Sequence, residues 1–114
     1  MKGACDTHMH FYDGSAGAPG APNPGTFTVP MYRELQKRLG VERVIVVQPN
    51  AYRDDNRVTL ESMQKLGKVA KGVAVVKPDV AEAELDRLTF GHTPQTRQHS
   101  HAHNCCVRQC CARP

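Results

Sequence analysis

From Gly3 to Phe11 the chain reads as a short strand, because side chains alternating across it put Asp6, His8 and His10 on one face and Thr7, Met9 and Phe11 on the other. One face is polar and the other mostly apolar. Between Tyr12 and Thr26 every periodicity breaks. Gly14, Gly17, Gly20 and Gly25, interleaved with Pro19, Pro22 and Pro24, forbid a regular element and predict a long loop. Helical spacing begins after it: Thr28 is placed to cap a helix starting near Pro30, with Met31, Leu35 and Leu39 forming the apolar stripe. Gly40 is the expected left-handed stop, and Lys37 and Arg38 sit in the last turn, where the helix dipole favours cations.

Arg43-Val44-Ile45-Val46-Val47-Gln48 is a continuous β-branched run without polar alternation, the pattern of a strand covered on both faces in a parallel sheet, and Pro49 ends it. Asp54, Asp55 or Asn56 can start a second helix carrying Leu60, Met63 and Leu66, closed by Gly67. Gly72 to Val76 is a second run of the buried type, and a third helix with Val80, Ala83, Leu85 and Leu88 follows Lys77-Pro78-Asp79. Three strands alternating with three helices predict right-handed crossovers and a parallel sheet, hence an α/β fold, either doubly wound or barrel.

Composition divides the chain after Leu88. The formal net charge of +4 comes mostly from the end: all 11 acids precede Gly91, whereas Arg97, Arg108 and Arg113 follow it. The body up to Leu88 is therefore nearly neutral and has no basic stripe with interleaved aromatics, which argues against nucleic-acid binding. No run approaches the ~18 to 20 apolar residues of a membrane span, and the first residues do not resemble an export signal. A soluble, cytoplasmic protein is the expectation. Cys5 alone lies in the body, while Cys105, Cys106, Cys110 and Cys111 crowd the end. A lone body thiol suits a reducing compartment.

Candidate chemistry concentrates in Asp6-Thr7-His8-Met9-His10. Imidazoles at i and i+2 of a strand stand roughly 7 Å apart at their Cα atoms and project to one side, so their rings can converge on one ion or one bound carboxylate. A bare His-x-His also fits ordinary structural histidines; the position on the first strand, before a Gly/Pro loop, is what points to function. Gln48 and Asn50, with Tyr52 behind them, follow the second strand at the same end and could orient an anionic substrate, although turn chemistry explains Asn50 equally well. Lys77, before Pro78, could reach the same end from the third strand, although a solvated side chain is the plainer reading.

Asp6-Thr7-His8-Met9-His10-Phe11-Tyr12-Asp13 resembles the opening of the amidohydrolase superfamily, in its amidohydrolase-related branch of 2-pyrone-4,6-dicarboxylate hydrolases and D-galactarolactone isomerases. Tyr32-Arg33, the stretch from Leu39 to Gln48, Asn50-Ala51 and Asp55-Asn56 are similar as well, so the resemblance extends from Gly3 to Leu88. It implies a (β/α)8 barrel that hydrolyses a lactone, ester or amide bond of a small carboxylate substrate through an activated water. His8 and His10 would then be catalytic groups, as metal ligands or as substrate-carboxylate partners, with Gln48 and Asn50 binding substrate. The implied cofactor is a divalent metal such as zinc, or none if the chain follows the metal-independent members. Such sites are completed from later strands.

Such a barrel needs at least ~200 residues, so the expectation is a truncated barrel: residues 1–88 as three βα units and 89–114 as a disordered Cys/His-rich tail. Four inward side chains left wet would forfeit roughly 6 to 12 kcal/mol, comparable to a whole domain's stability of about 5 to 15 kcal/mol. Self-association through open sheet edges, and an inactive chain, are expected. The abrupt change of composition near residue 89 reads as an out-of-frame or misjoined continuation, which the nucleotide sequence would test. The alternative is a non-catalytic metal-binding or assembly protein that uses His99, His101, His103 and the four late cysteines, although their spacing matches no common zinc module.

Overall fold

A computed structural model describes residues 2–89 and, for residues 105–107, the backbone. Strand β1 (Cys5–Met9) is followed by two short strands, β2 (Tyr12–Asp13) and β3 (Thr26–Phe27), then helix α1 (Val29–Leu39), β4 (Arg43–Val47), helix α2 (Arg57–Leu66), β5 (Ala70–Val75) and helix α3 (Glu82–Thr89). β1, β4 and β5 are parallel neighbours in that order, giving a mixed α/β fold around a parallel sheet.

The predicted loop is tied off at its ends. β2 and β3 pair antiparallel, with Tyr12 opposite Phe27 and Asp13 opposite Thr26, leaving the Gly/Pro residues between them irregular. A last strand, β6 (Cys105–Val107), lies antiparallel on β5. These three residues were expected in a disordered tail; an open strand edge offers a row of unpaired N–H and C=O groups to any extended segment that can reach it. The remaining tail residues, His99, His101, His103, Cys110 and Cys111 among them, lie outside the described residues.

The apolar core lies between the sheet and its helices. Val44 and Val46 of β4 are fully buried with Ala70, and Tyr32, Val58 and Leu66 cover them from α1 and α2. Gly72 keeps this layer thin: a Cβ there would come within 2.2 Å of the Met63 sulfur. On the other sheet face Val73 is buried while Ile45, Val47 and Val75 are half-buried, so β4 is not covered equally on both faces as its apolar run suggested.

Helix α1 is turned relative to expectation. Its buried residues are Val29, Tyr32 and Gln36, whereas Met31 and Leu39 of the expected stripe are 49% and 56% exposed. Two contacts account for the rotation. The Tyr32 hydroxyl reaches Asp6 on β1, and Arg33 donates to Gln36 Oε1 and to the Leu66 carbonyl, fastening the helix to α2. Gly40 does end the helix in the left-handed region (φ 69°), its N–H bonded to the Gln36 carbonyl. Thr28 occupies the N-cap position but makes no side-chain capping bond. At α2 the first free N–H, that of Arg57, is taken by the Asp55 carboxylate, while the Asn56 amide clasps the backbone N–H and C=O of Val75. No helix among the described residues is long and apolar enough to cross a membrane.

Candidate active site

The carboxyl ends of β1 and β4 bring His8 and His10 together. Their Nε2 atoms are 3.2 Å apart, and the rings meet edge to face with centroids 4.8 Å apart. His10 Nδ1 lies 2.9 Å from the carbonyl oxygen of Val47, the last residue of β4. A carbonyl only accepts, so in this contact His10 carries a proton on Nδ1 and directs Nε2 at His8. His8 is exposed and His10 partly covered, so the pair faces solvent at the rim of the sheet.

The faces of β1 differ from simple alternation. Asp6 pairs with Val44 and Met9 with Val46, three residues advancing against two, so β1 has a bulge between them. Asp6 and Met9 therefore share the helix-side face of Val44 and Val46, and His8 and His10 take the other. The expectation that Asp6 stands beside the histidines is corrected: its Oδ1 accepts the His8 backbone N–H at 3.1 Å and its Oδ2 accepts the Tyr32 hydroxyl at 3.0 Å. Burial, followed by the bond to Asp6, pushes the Tyr32 phenol above its ordinary value.

Gln48 is at the expected end of β4 but is buried and fully engaged. Its Nε2 donates to the carbonyls of Arg53 (3.0 Å) and Asp55 (2.7 Å), and its Oε1 accepts the Thr59 hydroxyl. Its side chain thus folds the loop after β4 and is not presented to a substrate. Asn50 is exposed and lines, with Gly20, Ala21, Pro22, Ala51 and Arg53, an open groove of about 540 Å³. Tyr52 is buried against Tyr12, rings 5.9 Å apart, and Tyr12 in turn lies 6.3 Å from the His10 ring. Burial, with a contribution from Tyr52, raises the Tyr12 phenol. Lys77 pairs with Asp54 at 3.5 Å on the surface.

Sequence reasoning gave Asp13 no role of its own, yet it joins the two rim loops. It accepts the Ser15 hydroxyl and, at 2.9 Å, the Ser15 N–H, the Tyr52 hydroxyl at 3.2 Å and Arg57 at 3.1 Å. The Ser15 hydroxyl first, then the Ser15 N–H, hold its carboxyl far below the usual range against the opposing desolvation, with lesser help from Arg57 and Tyr52. The Asp-Gly-Ser spacing of an Asx turn was the signal that could have marked it. Among the described residues no group of three His, Cys, Asp or Glu side chains is arranged to hold a metal ion.

Two convergent imidazoles thus stand at the carboxyl rim of a parallel βα sheet. Residues 5–96 match the family model described as Amidohydrolase, and the chain belongs to that family. It is 37% identical over 100 residues to D-galactarolactone isomerase of Agrobacterium fabrum, a match covering 84% of this chain and 34% of the relative. It is 33% identical over 90 residues to 2-pyrone-4,6-dicarboxylate hydrolase of Comamonas testosteroni, covering 75% of this chain and 30% of that protein. An apo crystal structure from Agrobacterium tumefaciens superposes with a TM-score of 0.71 at 35% identity, covering 79% of this chain and 34% of that one. The chain thus spans about a third of the length of the relatives it matches.

Proposed function

We propose that these βα units open a (β/α)8 barrel, and that His8 and His10 form one wall of its reaction site. The whole protein would act on a lactone, ester or amide bond of a small carboxylate-bearing substrate through an activated water. The observation that carries this reading is the 3.2 Å approach of the two Nε2 atoms at the carboxyl rim of a parallel sheet. Relatives named for a lactone isomerase and a pyrone dicarboxylate hydrolase support the substrate class.

The pair suits two ligands of one divalent cation such as zinc. Nitrogens 3.2 Å apart, each ~2.0–2.1 Å from a common ion, subtend roughly 100° there, close to tetrahedral. The Val47 carbonyl on His10 Nδ1 is the kind of outer contact that fixes a ligating imidazole's tautomer. Such an ion, when bound, would acidify a water and polarise the carbonyl under attack. Without one, an N–H of the exposed His8 ring could donate to charge developing on a lactone oxygen, the work of an oxyanion hole. In both cases this chain's own contribution is the same: two ring nitrogens aimed at one point, held by the backbone of β4. Asn50 stays exposed to a substrate carboxylate, whereas Gln48 acts one step removed by shaping the loop that carries Asn50.

Histidine ring ¹⁵N spectra of the purified chain, recorded during titration with zinc and separately with 2-pyrone-4,6-dicarboxylate, test the proposal. At least one of the two ligands should move His8 and His10 together and saturably, and His8→Ala should abolish the response at His10. If both ligands leave these two rings unmoved while zinc shifts only His99, His101 and His103, the reading is wrong.

A further inference from the structure

We infer that Tyr32, on helix α1, is the positioning residue that sets which face of the sheet the histidine pair occupies, acting through the Asp6 carboxylate. Asp6 lies on the helix side, in register with Val44. Strict alternation from that point would carry residues 8 and 10 to the helix side as well, because a strand repeats every two residues and a one-residue slip exchanges the faces. The extra residue between Asp6 and Met9 reverses this and delivers His8 and His10 to the open face.

A bulge costs ladder hydrogen bonds, and here a side chain replaces one of them. Asp6 Oδ1 accepts the His8 N–H at 3.1 Å, two residues ahead, and its Oδ2 is held at 3.0 Å by the Tyr32 hydroxyl. Tyr32 has no freedom to withdraw: it is fully buried, packed edge to face against Phe11 at 5.5 Å, on a helix that Arg33 fastens to α2. The carboxylate is therefore oriented from the core, and it orients the backbone of the bulge in turn. Neither Tyr32 nor Asp6 shares the face of the imidazoles. The interest of this device rests on the proposed role of His8 and His10, but its geometry does not.

Tyr32→Phe and Asp6→Ala, made in the full chain, test the inference by amide exchange and by the nuclear Overhauser effect between the two imidazole rings. In both variants the His8 amide should exchange about threefold or more faster and the inter-ring effect should weaken. The Val46 and Gly72 amides of the adjoining strands should stay within about twofold of the parent chain. A structural role alone would move all three amides together. His8 exchange in step with Val46 and Gly72 in either variant, whether all are unchanged or all rise, overturns the inference. Failure of zinc or lactone to reach the rings would instead remove the functional reading and leave this result standing.

Discussion

Replacing Thr59 by valine removes one proton donor and almost no volume from a buried polar clamp. Thr59 is 1% exposed and Gln48 5%. The Thr59 hydroxyl donates to Gln48 Oε1, and Gln48 Nε2 serves the carbonyls of Arg53 and Asp55, closing the loop that carries Asn50 and Tyr52. Among the described residues every buried side-chain nitrogen and oxygen has a partner. Thr59→Val would leave Gln48 Oε1 buried and unpaired, which costs about 1–3 kcal/mol. Gln48→Leu strands two carbonyls and the Thr59 hydroxyl, so its cost should be larger, about 3 kcal/mol or more. In the double variant Thr59 has no oxygen left to satisfy, and the two losses should fall short of additivity by about 1 kcal/mol. Urea unfolding of the four proteins, at concentrations where each is monomeric, measures these differences. A Thr59→Val change within about 0.5 kcal/mol of the parent, or strict additivity, would refute the clamp.

Asp13 should steepen the acid limb of stability. Its carboxyl is depressed in the folded chain, first by the Ser15 hydroxyl, so its contribution is full above the ordinary carboxylate value of about 3.9 and is lost as pH falls through the lower folded value. Asp13→Asn should flatten that limb in urea melts across acid pH and leave the neutral-to-basic side parallel to the parent. Gly72→Ala should change stability by no more than about 1 kcal/mol, because its methyl meets the end of the flexible Met63 side chain, which can swing aside; urea melts of the variant would check this. Sedimentation should show concentration-dependent self-association, and lysine at Met31 or Leu39, the exposed large apolar side chains, should reduce it.

The order of the three main strands and three helices was legible because each has a local cause: valine-rich runs at Val44–Val47 and Val73–Val76, a glycine stop at Gly40, and a Gly/Pro stretch that breaks every periodicity. The histidine pair was legible for the same reason, since two residues on one strand need only a period of two to share a face. What could not be read is what depends on contacts distant in sequence. The bulge that separates Asp6 from His8 and His10 is set by register against β4 and by a hydroxyl 26 positions away. The rotation of α1 follows from Tyr32 and Arg33 finding partners on β1 and α2, so that of the expected stripe Leu35 packs against the core while Met31 and Leu39 are exposed. Gln48 looked like a rim side chain because it follows a strand end. Only the fold of the next eleven residues, back to Thr59, shows its amide to be spoken for.

Long-range ¹H–¹⁵N correlation spectra of the histidine rings near neutral pH test the central geometry most directly. The account predicts a proton on His10 Nδ1, held by the Val47 carbonyl, with Nε2 directed at His8. A His10 ring carrying its proton on Nε2 alone, with Nδ1 unprotonated, would mean that the carbonyl does not hold it and that the two imidazoles do not converge as described.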